Sequence, residues 1–279
     1  MNIIGLGSAG CGVADALSKY PQYKIFKIDV DIEGDQCYNI PILETAEEYE
    51  NHKFPKIHKF FKGMEGKTFF VVGGSGKISC CSLRILEKIK NLPISIIYIK
   101  PDYDLLNKVQ KMQDRVVFGV LQEYARSGVF DEIYLISNSS LDSVLGGAPV
   151  IGYYEKLNEV FATTFHMINI SNNTKPVIGK IEKPKTTNRI VTIGIFDAEK
   201  NEEKMFFSLD KPREKCYIYS ISEDKLKTDS NLFNRLKTQI KSKTLKDLNV
   251  TYSIFSTDYE YDLGYIVERT SYIQTQEKD

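Results

Sequence analysis

Glycines grouped as Gly5-Leu6-Gly7-Ser8-Ala9-Gly10 and as Gly73-Gly74-Ser75-Gly76 each follow an apolar run and precede a helix-prone one. A strand that turns through glycines into a helix leaves backbone amides and the positive end of the helix dipole facing one point, and such a point binds phosphate. The first group spells GxGxxG, with an acid, Asp29, about twenty residues on, which is the pattern of a dinucleotide site. The second has no standard spelling. A Walker loop has a longer spacer before its Gly-Lys and a Ser or Thr directly after the Lys, whereas here Gly76-Lys77 follows Gly73 closely and Ile78 comes next. A dehydrogenase uses one glycine loop on its pyrophosphate; two loops suit a nucleotide whose phosphates are held from both sides.

Other reactive residues are sparse. His52, His58 and His166 lie in no metal-ligand spacing, so no metal site is expected. Five cysteines, Cys11, Cys37, Cys80, Cys81 and Cys216, are an odd number without CxxC spacing, which argues against a disulfide framework and a zinc site and for small buried residues. The 279 residues carry 37 Lys and Arg against 37 Asp and Glu, so net charge attracts neither nucleic acid nor an anionic membrane. The basic residues gathered between Lys180 and Arg189 read as an uneven surface loop. No secretion-type leader and no run long enough to span a bilayer is present, and a cytoplasmic protein is expected.

The elements that would position the two loops alternate between strand and helix. Strands are expected at 2–4, 23–30, 67–72, 94–99 and 132–136, and helical patterns follow the first glycine group, at 78–89 and at 108–127, with helix potential at 45–61. This alternation implies an α/β fold with a mainly parallel, Rossmann-like sheet covered on both faces. A long helix is expected from 149 to about 168, with Val150, Tyr154, Leu157, Phe161 and Phe165 at three- and four-residue steps. A polar, proline-containing stretch over 169–187 breaks the pattern. Strands at 189–196, 204–209, 216–221, 250–255 and 265–273, with a helix near 231–241, then read as a second α+β domain on a mixed sheet, ending in a frayed tail at 274–279. The implied division is a nucleotide-binding domain at 1–148, a central connecting helix at 149–170 and a C-terminal domain at 171–279.

In this order of parts the chain resembles the tubulin/FtsZ superfamily, nearly end to end. Gly5, Gly7, Ser8, Ala9, Gly10 and Cys11 stand where FtsZ has its first phosphate loop, and Asp29 ends the strand where FtsZ commonly has Asn-Thr-Asp. Gly73-Gly74-Ser75-Gly76 is similar to the core of the tubulin signature loop, with Ser in place of Thr, an equivalent hydroxyl donor. Lys100-Pro101 ends a strand as in FtsZ, and "LISNSSL" resembles FtsZ's "VIPNDRL", which puts Asn138 on the ribose and base side. In "YYEKLNEVF", Tyr154 and Asn158 share one helix face at i and i+4; the resemblance implies that the tyrosine stacks on guanine and the amide reads its edge. It further implies GTP or GDP as ligand, with Mg possible, head-to-tail self-association, and a cytoskeletal or scaffold role in filaments.

Two departures qualify these expectations. Lys77-Ile78 replaces a small residue and a glycine: Lys77 is either a cation for phosphate or an exposed helix-start residue, and Ile78 adds bulk where the family has none. The family's loop after the central helix carries acids that enter the next subunit's site and orient the attacking water. Here, over 169–188, Glu182 is the one acid, Asn172 or Asn173 is a remnant, and Lys175, Lys180 and Lys183 dominate, so hydrolysis is expected to be weak or absent and no catalytic residue is assigned. Two rival readings stay open: an NAD(P)-dependent oxidoreductase resting on GLGSAG and Asp29, and a nucleotide-free structural protein that kept the fold.

Overall fold

Runs of branched and aromatic residues buried on both faces set up the parallel strands of the N-terminal half. In the computed structural model, which describes residues 1–259 and 262–275, these are β1 (Asn2–Leu6), β2 (Lys24–Asp29), β3 (Cys37–Asn39), β4 (Thr68–Gly73), β5 (Ile94–Lys100) and β6 (Glu132–Ser137). They lie in the order β3-β2-β1-β4-β5-β6, every pair parallel. Parallel neighbours require crossovers, and apart from the short irregular link between β2 and β3 these run through α1 (Gly7–Ser18), α2 (Ala46–Asn51), α3 (Ile57–Phe60), α4 (Ser82–Lys88) and α5 (Lys108–Arg126). Successive residues of each strand point to opposite faces: Ile4, Leu6, Phe70 and Val72 pack towards α4 and α5, while Ile3, Phe69 and Val71 pack towards α1.

After α6 (Asn138–Leu145) and α7 (Tyr153–Asn172) the sheet changes character. Strands β7 (Ile178–Gly179), β8 (Ile190–Asp197), β9 (Glu202–Met205), β10 (Glu214–Ser222), β11 (Asn249–Thr257) and β12 (Leu263–Thr270), with α8 (Glu223–Thr228) and α9 (Leu232–Lys243), form a mixed arrangement in the order β8-β12-β10-β11-β7, with β9 beside β8. The mixed strands are joined to the parallel ones, since β8 pairs with β6 at Ile133↔Ile190 and Tyr134↔Val191, giving one continuous twelve-stranded sheet. The second half thus extends the first sheet's edge. Leu157, Phe161, Phe165 and Ile168 of α7 share a core with Val13 and Leu17 of α1, with Val71 and Ile136 of the parallel strands, and with Ile193, Ile218 and Val267 of the mixed ones.

Several boundaries differ from the sequence expectation for identifiable reasons. The expected helix at 45–61 is two short helices. α2 starts at a capping box between Thr45 and Glu48, and Pro55 in the break before α3 cannot donate a helical hydrogen bond. The helix expected from 78 opens as a tight turn over Lys77–Cys81 before α4 begins. α7 starts at Tyr153, not 149, because Gly152 takes φ +77°, and it runs on to Asn172. Asn169, expected to begin a loop, is a buried helix residue whose amide donates to Tyr23 Oη at 3.2 Å. Gln274, expected in a frayed tail, is 2% exposed and exchanges hydrogen bonds with Gln122 at 2.8 and 3.1 Å; residues 276–279 of that expected tail lie outside the described residues. The short elements β3, β7, α6 and α8 carry too few residues to show a period.

A cluster of part-buried charge ties the mixed strands together. Glu203 on β9 accepts from Lys215 Nζ at 2.8 Å and Tyr217 Oη at 2.7 Å on β10, and pairs with Lys243 Nζ at 2.8 Å at the end of α9; Lys215 also pairs with Glu268 on β12 at 2.9 Å. Burial acts to raise the Glu203 carboxyl, but the hydrogen bonds from Lys215, Lys243 and Tyr217 outweigh it and hold the group down from 4.5 to about 2. A carboxyl lowered in the folded state contributes stability that is complete above its unfolded value and is lost as pH falls towards the folded one. Glu203→Gln is therefore expected to flatten the fall in stability between pH 4.5 and about 2, measured by urea unfolding at stepped pH; equal slopes in the two proteins would contradict this.

Candidate functional site

β1 and β4 are hydrogen-bonded neighbours in register at Leu6↔Val72, so the backbone leaves their C-terminal ends side by side. β1 runs into α1 with no intervening loop. The turn depends on Gly7, whose φ is +68°, and on Gly5 and Gly10, which let the helix lie against the sheet: a Cβ on Gly10 would sit 2.3 Å from the Val71 carbonyl oxygen, and one on Gly5 would sit 2.5 Å from that of Gly10. The first turn of α1 carries no capping side chain and no acid, and Ser8 and Ala9 are exposed at its tip. Its amides and positive dipole end thus face open space. The second glycine group meets this tip, since a Cβ on Gly73 would lie 3.0 Å from that of Ala9.

Together the two tips floor one end of a cleft of about 890 Å³ at the C-terminal edge of the parallel strands. Open α/β sheets bind ligands at this edge, and the volume falls within the range of about 300–1,000 Å³ common for ligand pockets. Asn138, at the start of α6, lines another part of the wall. The first turns of α7 bring in Tyr154, 57% exposed, and Asn158, whose amide nitrogen would lie 2.7 Å from a Cβ on Gly12 of α1. Pro101, Asp102 and Leu105 after β5 close the opposite side.

Of the residues singled out in the sequence, Ser8, Ala9, Gly73, Ser75, Asn138, Tyr154 and Asn158 line this cleft. Gly5, Gly7, Gly10 and Gly74 lie beneath it as packing positions; a Cβ on Gly74 would fall 1.8 Å from Tyr98 Oη. Cys11 is buried, with Sγ 3.6 Å from the Gly5 carbonyl, and burial pushes its thiol up to about 12, so it stays protonated. Asp29 is placed off the cleft, where its carboxylate accepts from the Val30 amide at 2.9 Å and burial raises its pKa. Gly76 and Lys77 also lie outside the cleft lining, and the exposed Lys77 Nζ donates to the Glu44 carbonyl. Ile78 packs over the first loop, its Cγ2 2.7 Å from where a Cβ on Gly7 would be.

Lining residues missed in the sequence are Gly12, Asp15, Ala16 and Lys19 on α1 and Glu155, Lys156 and Glu159 on α7. Helical spacing from Ser8 and from Tyr154 is the signal that could have found them. Both lysines of the cleft meet the same acid, Lys19 at 3.6 Å and Lys156 at 3.3 Å from Glu159; the Lys156 hydrogen bond, followed by the nearby lysine charges, lowers that carboxyl. Lys19 and Lys156 are the lysines among the residues that line the cleft. No group of three or more His, Cys, Asp or Glu among those residues could hold a metal ion.

No family model and no curated protein matches this sequence. Solved structures do match. A GTPγS-form protofilament of Bacillus thuringiensis serovar israelensis TubZ superposes with a TM-score of 0.73 at 14% identity, over 96% of this chain and 86% of that one. A GTPγS-bound protofilament of CetZ2 from Haloferax volcanii gives 0.69 at 13% identity, over 96% and 92%. An empty FtsZ dimer from M. jannaschii gives 0.69 at 12%, over 96% and 87%. The fold is that of the tubulin/FtsZ superfamily, across both the parallel and the mixed strands.

The geometry separates packing glycines from permissive ones. Gly10→Ala should destabilise the fold by about 1–3 kcal/mol through overpacking against β4. Gly76→Ala, which meets only Ile78 Cγ2 at 3.8 Å, should stay within about 0.5 kcal/mol of wild type. Urea unfolding of both variants checks this, and equal stabilities would contradict it.

Proposed function

We propose that this protein binds a guanine nucleotide in the cleft and assembles head to tail into filaments, with slow or no hydrolysis of GTP. The observation that carries the reading is the convergence of the uncapped α1 tip and the Gly73–Ser75 turn on one end of a cleft that has Tyr154 and Asn158 in its wall. Phosphates fit the first end, where backbone amides and the Ser75 hydroxyl can donate and the helix dipole favours negative charge. A base fits against Tyr154. Guanine presents N–H donors on its pairing edge, and the acceptors available there are the side-chain oxygens of Asn158, Asn138 and Glu155. Any Mg²⁺ would be held largely by phosphate oxygens and water, which suits an ion that retains its waters.

Head-to-tail assembly suits the two unlike ends of α7. Its 20 residues span about 30 Å, with one end in the cleft wall and the other at the loop that follows Asn172. A contact between these two unlike ends is heterologous, and it repeats as an open filament when the rotation between copies does not close a ring. The TubZ and CetZ2 neighbours, described as protofilaments, support this reading, as do the TubZ filament structures. In it, residues 1–148 serve the nucleotide, the central helix transmits its state and residues 171–279 meet the next copy, in a cytoskeletal or scaffold role in the cytoplasm. Among the described residues no helix is long and apolar enough to cross a membrane. Asp29 is not among the residues that line the cleft, which favours the guanine reading over the dinucleotide one. Ile78 over Gly7 favours one second reading, a scaffold without nucleotide.

Fluorescence titration with mant-GTP separates the two. Gly12→Val should push Asn158 aside and fill the cleft, lowering mant-GTP affinity at least about tenfold while the melting temperature is maintained. No saturable binding to wild type would favour the nucleotide-free scaffold.

Turnover should be at least about a hundredfold slower than in an acid-equipped relative, because a positioned acid-base group contributes about 10²- to 10⁴-fold. Phosphate release at polymer-forming concentration measures it, with Glu182→Gln as control; fast release that survives this change would place the catalytic group elsewhere.

A further inference from the structure

We propose that Asp114 is a positioning residue of the nucleotide site: through two tyrosine hydroxyls it holds the 73–75 turn and the 101–106 segment at a fixed spacing, so that the phosphates meet a turn already in place. This rests on the guanine-nucleotide reading above and deepens it by naming the group that sets the shape of the phosphate end.

Asp114 lies on α5, is fully buried and is not among the residues that line the cleft. A carboxylate is costly to bury unless hydrogen bonds hold it, and two hydroxyls converge on this one. Tyr98, fully buried on β5, donates to Oδ1, and Tyr103 donates to Oδ2 at 2.7 Å. Burial, followed by the Asp114 charge, pushes the Tyr98 hydroxyl well above its usual range, so it remains a donor. An ionised carboxylate accepts at both oxygens at once, which is what two donors arriving from different elements require.

Each tyrosine leads to a different part of the cleft. A Cβ on Gly74 would meet Tyr98 Oη and Asp114 Oδ1 together, so the backbone of the 73–75 turn rests directly on this pair. Ser79, also buried, donates to the Gly74 carbonyl at 3.0 Å and to that of Gly76 at 2.6 Å, which ties the turn from its other side. Tyr103 opens the short helical turn Tyr103–Leu105, and Pro101, Asp102, Leu105 and Leu106 around it line the cleft. Lys100 and Lys111 Nζ lie 5.2 and 5.6 Å from the centroid of its ring, adding cation–π attraction to the hold of the hydroxyl. Gly73 and Ser75 are in the cleft lining while Gly74 between them bears on Asp114, so the place of the carboxyl group is passed to the turn without an intervening flexible side chain. Donors fixed before the ligand arrives save the cost of ordering them on binding.

The test uses the full chain with Tyr103→Phe and, separately, Asp114→Asn. The first removes one hydroxyl from a partly buried ring; the second keeps the shape but offers one acceptor to two donors. Melting temperature checks that each is folded, and Tyr103→Phe carries the test if Asp114→Asn is not. Mant-GTP is titrated into each protein and then displaced with GMP, which brings one phosphate where GTP brings three. Affinity for mant-GTP should fall at least about tenfold in Asp114→Asn and at least about threefold in Tyr103→Phe, the loss expected for hydrogen bonds to a charged group, while GMP affinity stays within about twofold of wild type. A ratio of GTP to GMP affinity that is unchanged in a folded variant, whether both ligands keep their affinity or lose it alike, would overturn the assignment while nucleotide binding stands. If wild type binds no mant-GTP, the underlying reading falls and the positioning role falls with it.

Discussion

The contact on which the rest depends is the backbone approach of α1 to the sheet. Gly10 lies where any side chain would enter the Val71 carbonyl, and Gly5 lies where one would enter Gly10. Only hydrogen is small enough at both positions, so α1 can lie directly over β1 and β4 with its amino end at their tips. This places an uncapped helix terminus next to the Gly73 turn. Had the helix stood farther off, the two tips would not converge and the cleft would have no floor.

α7 then relates that floor to the remainder of the molecule. One face of it packs with α1 and the parallel strands, and the same core continues to the mixed strands, so the helix is held from both halves. A polar network locks it to α1's end: Tyr20 stacks on His166 at 3.7 Å, Tyr23 Oη lies 3.2 Å from His166 Nδ1, and Asn169 donates to the same Tyr23 oxygen. Burial lowers the His166 pKa, which favours the neutral ring in this stack. The side chains that wall the cleft and the lysines that follow α7 are thus ends of one supported rod.

The parallel half was legible because its strands are apolar, its helices periodic and its turns marked by glycine. The joining of β8 to β6 was not, because two register pairs leave no signature in composition. Pro55 and Gly152 were visible as residues, but their effect on helix bounds depends on local geometry that periodicity does not report. At the site, glycine identity was readable and glycine purpose was not: Gly5, Gly10 and Gly74 serve packing, while Gly12, not singled out, lines the cleft. Lys77 shows the same limit, since its partner, the Glu44 carbonyl, is a backbone atom that its own motif does not specify. Gln274, near the end of the chain, reads as part of a frayed tail, whereas its backbone exchanges hydrogen bonds with Gln122 and its side chain accepts from the Asp210 amide at 2.6 Å and donates to the Tyr272 carbonyl at 2.7 Å.

In the proposed function the cleft selects a guanine nucleotide, and this occupancy governs self-association. Sedimentation velocity of the wild-type chain with GTP, with ATP, with NADH and with no nucleotide tests it most directly. Species larger than the monomer are expected with GTP alone among the four. An unchanged monomer in every condition, or a shift produced equally by NADH or ATP, would contradict it.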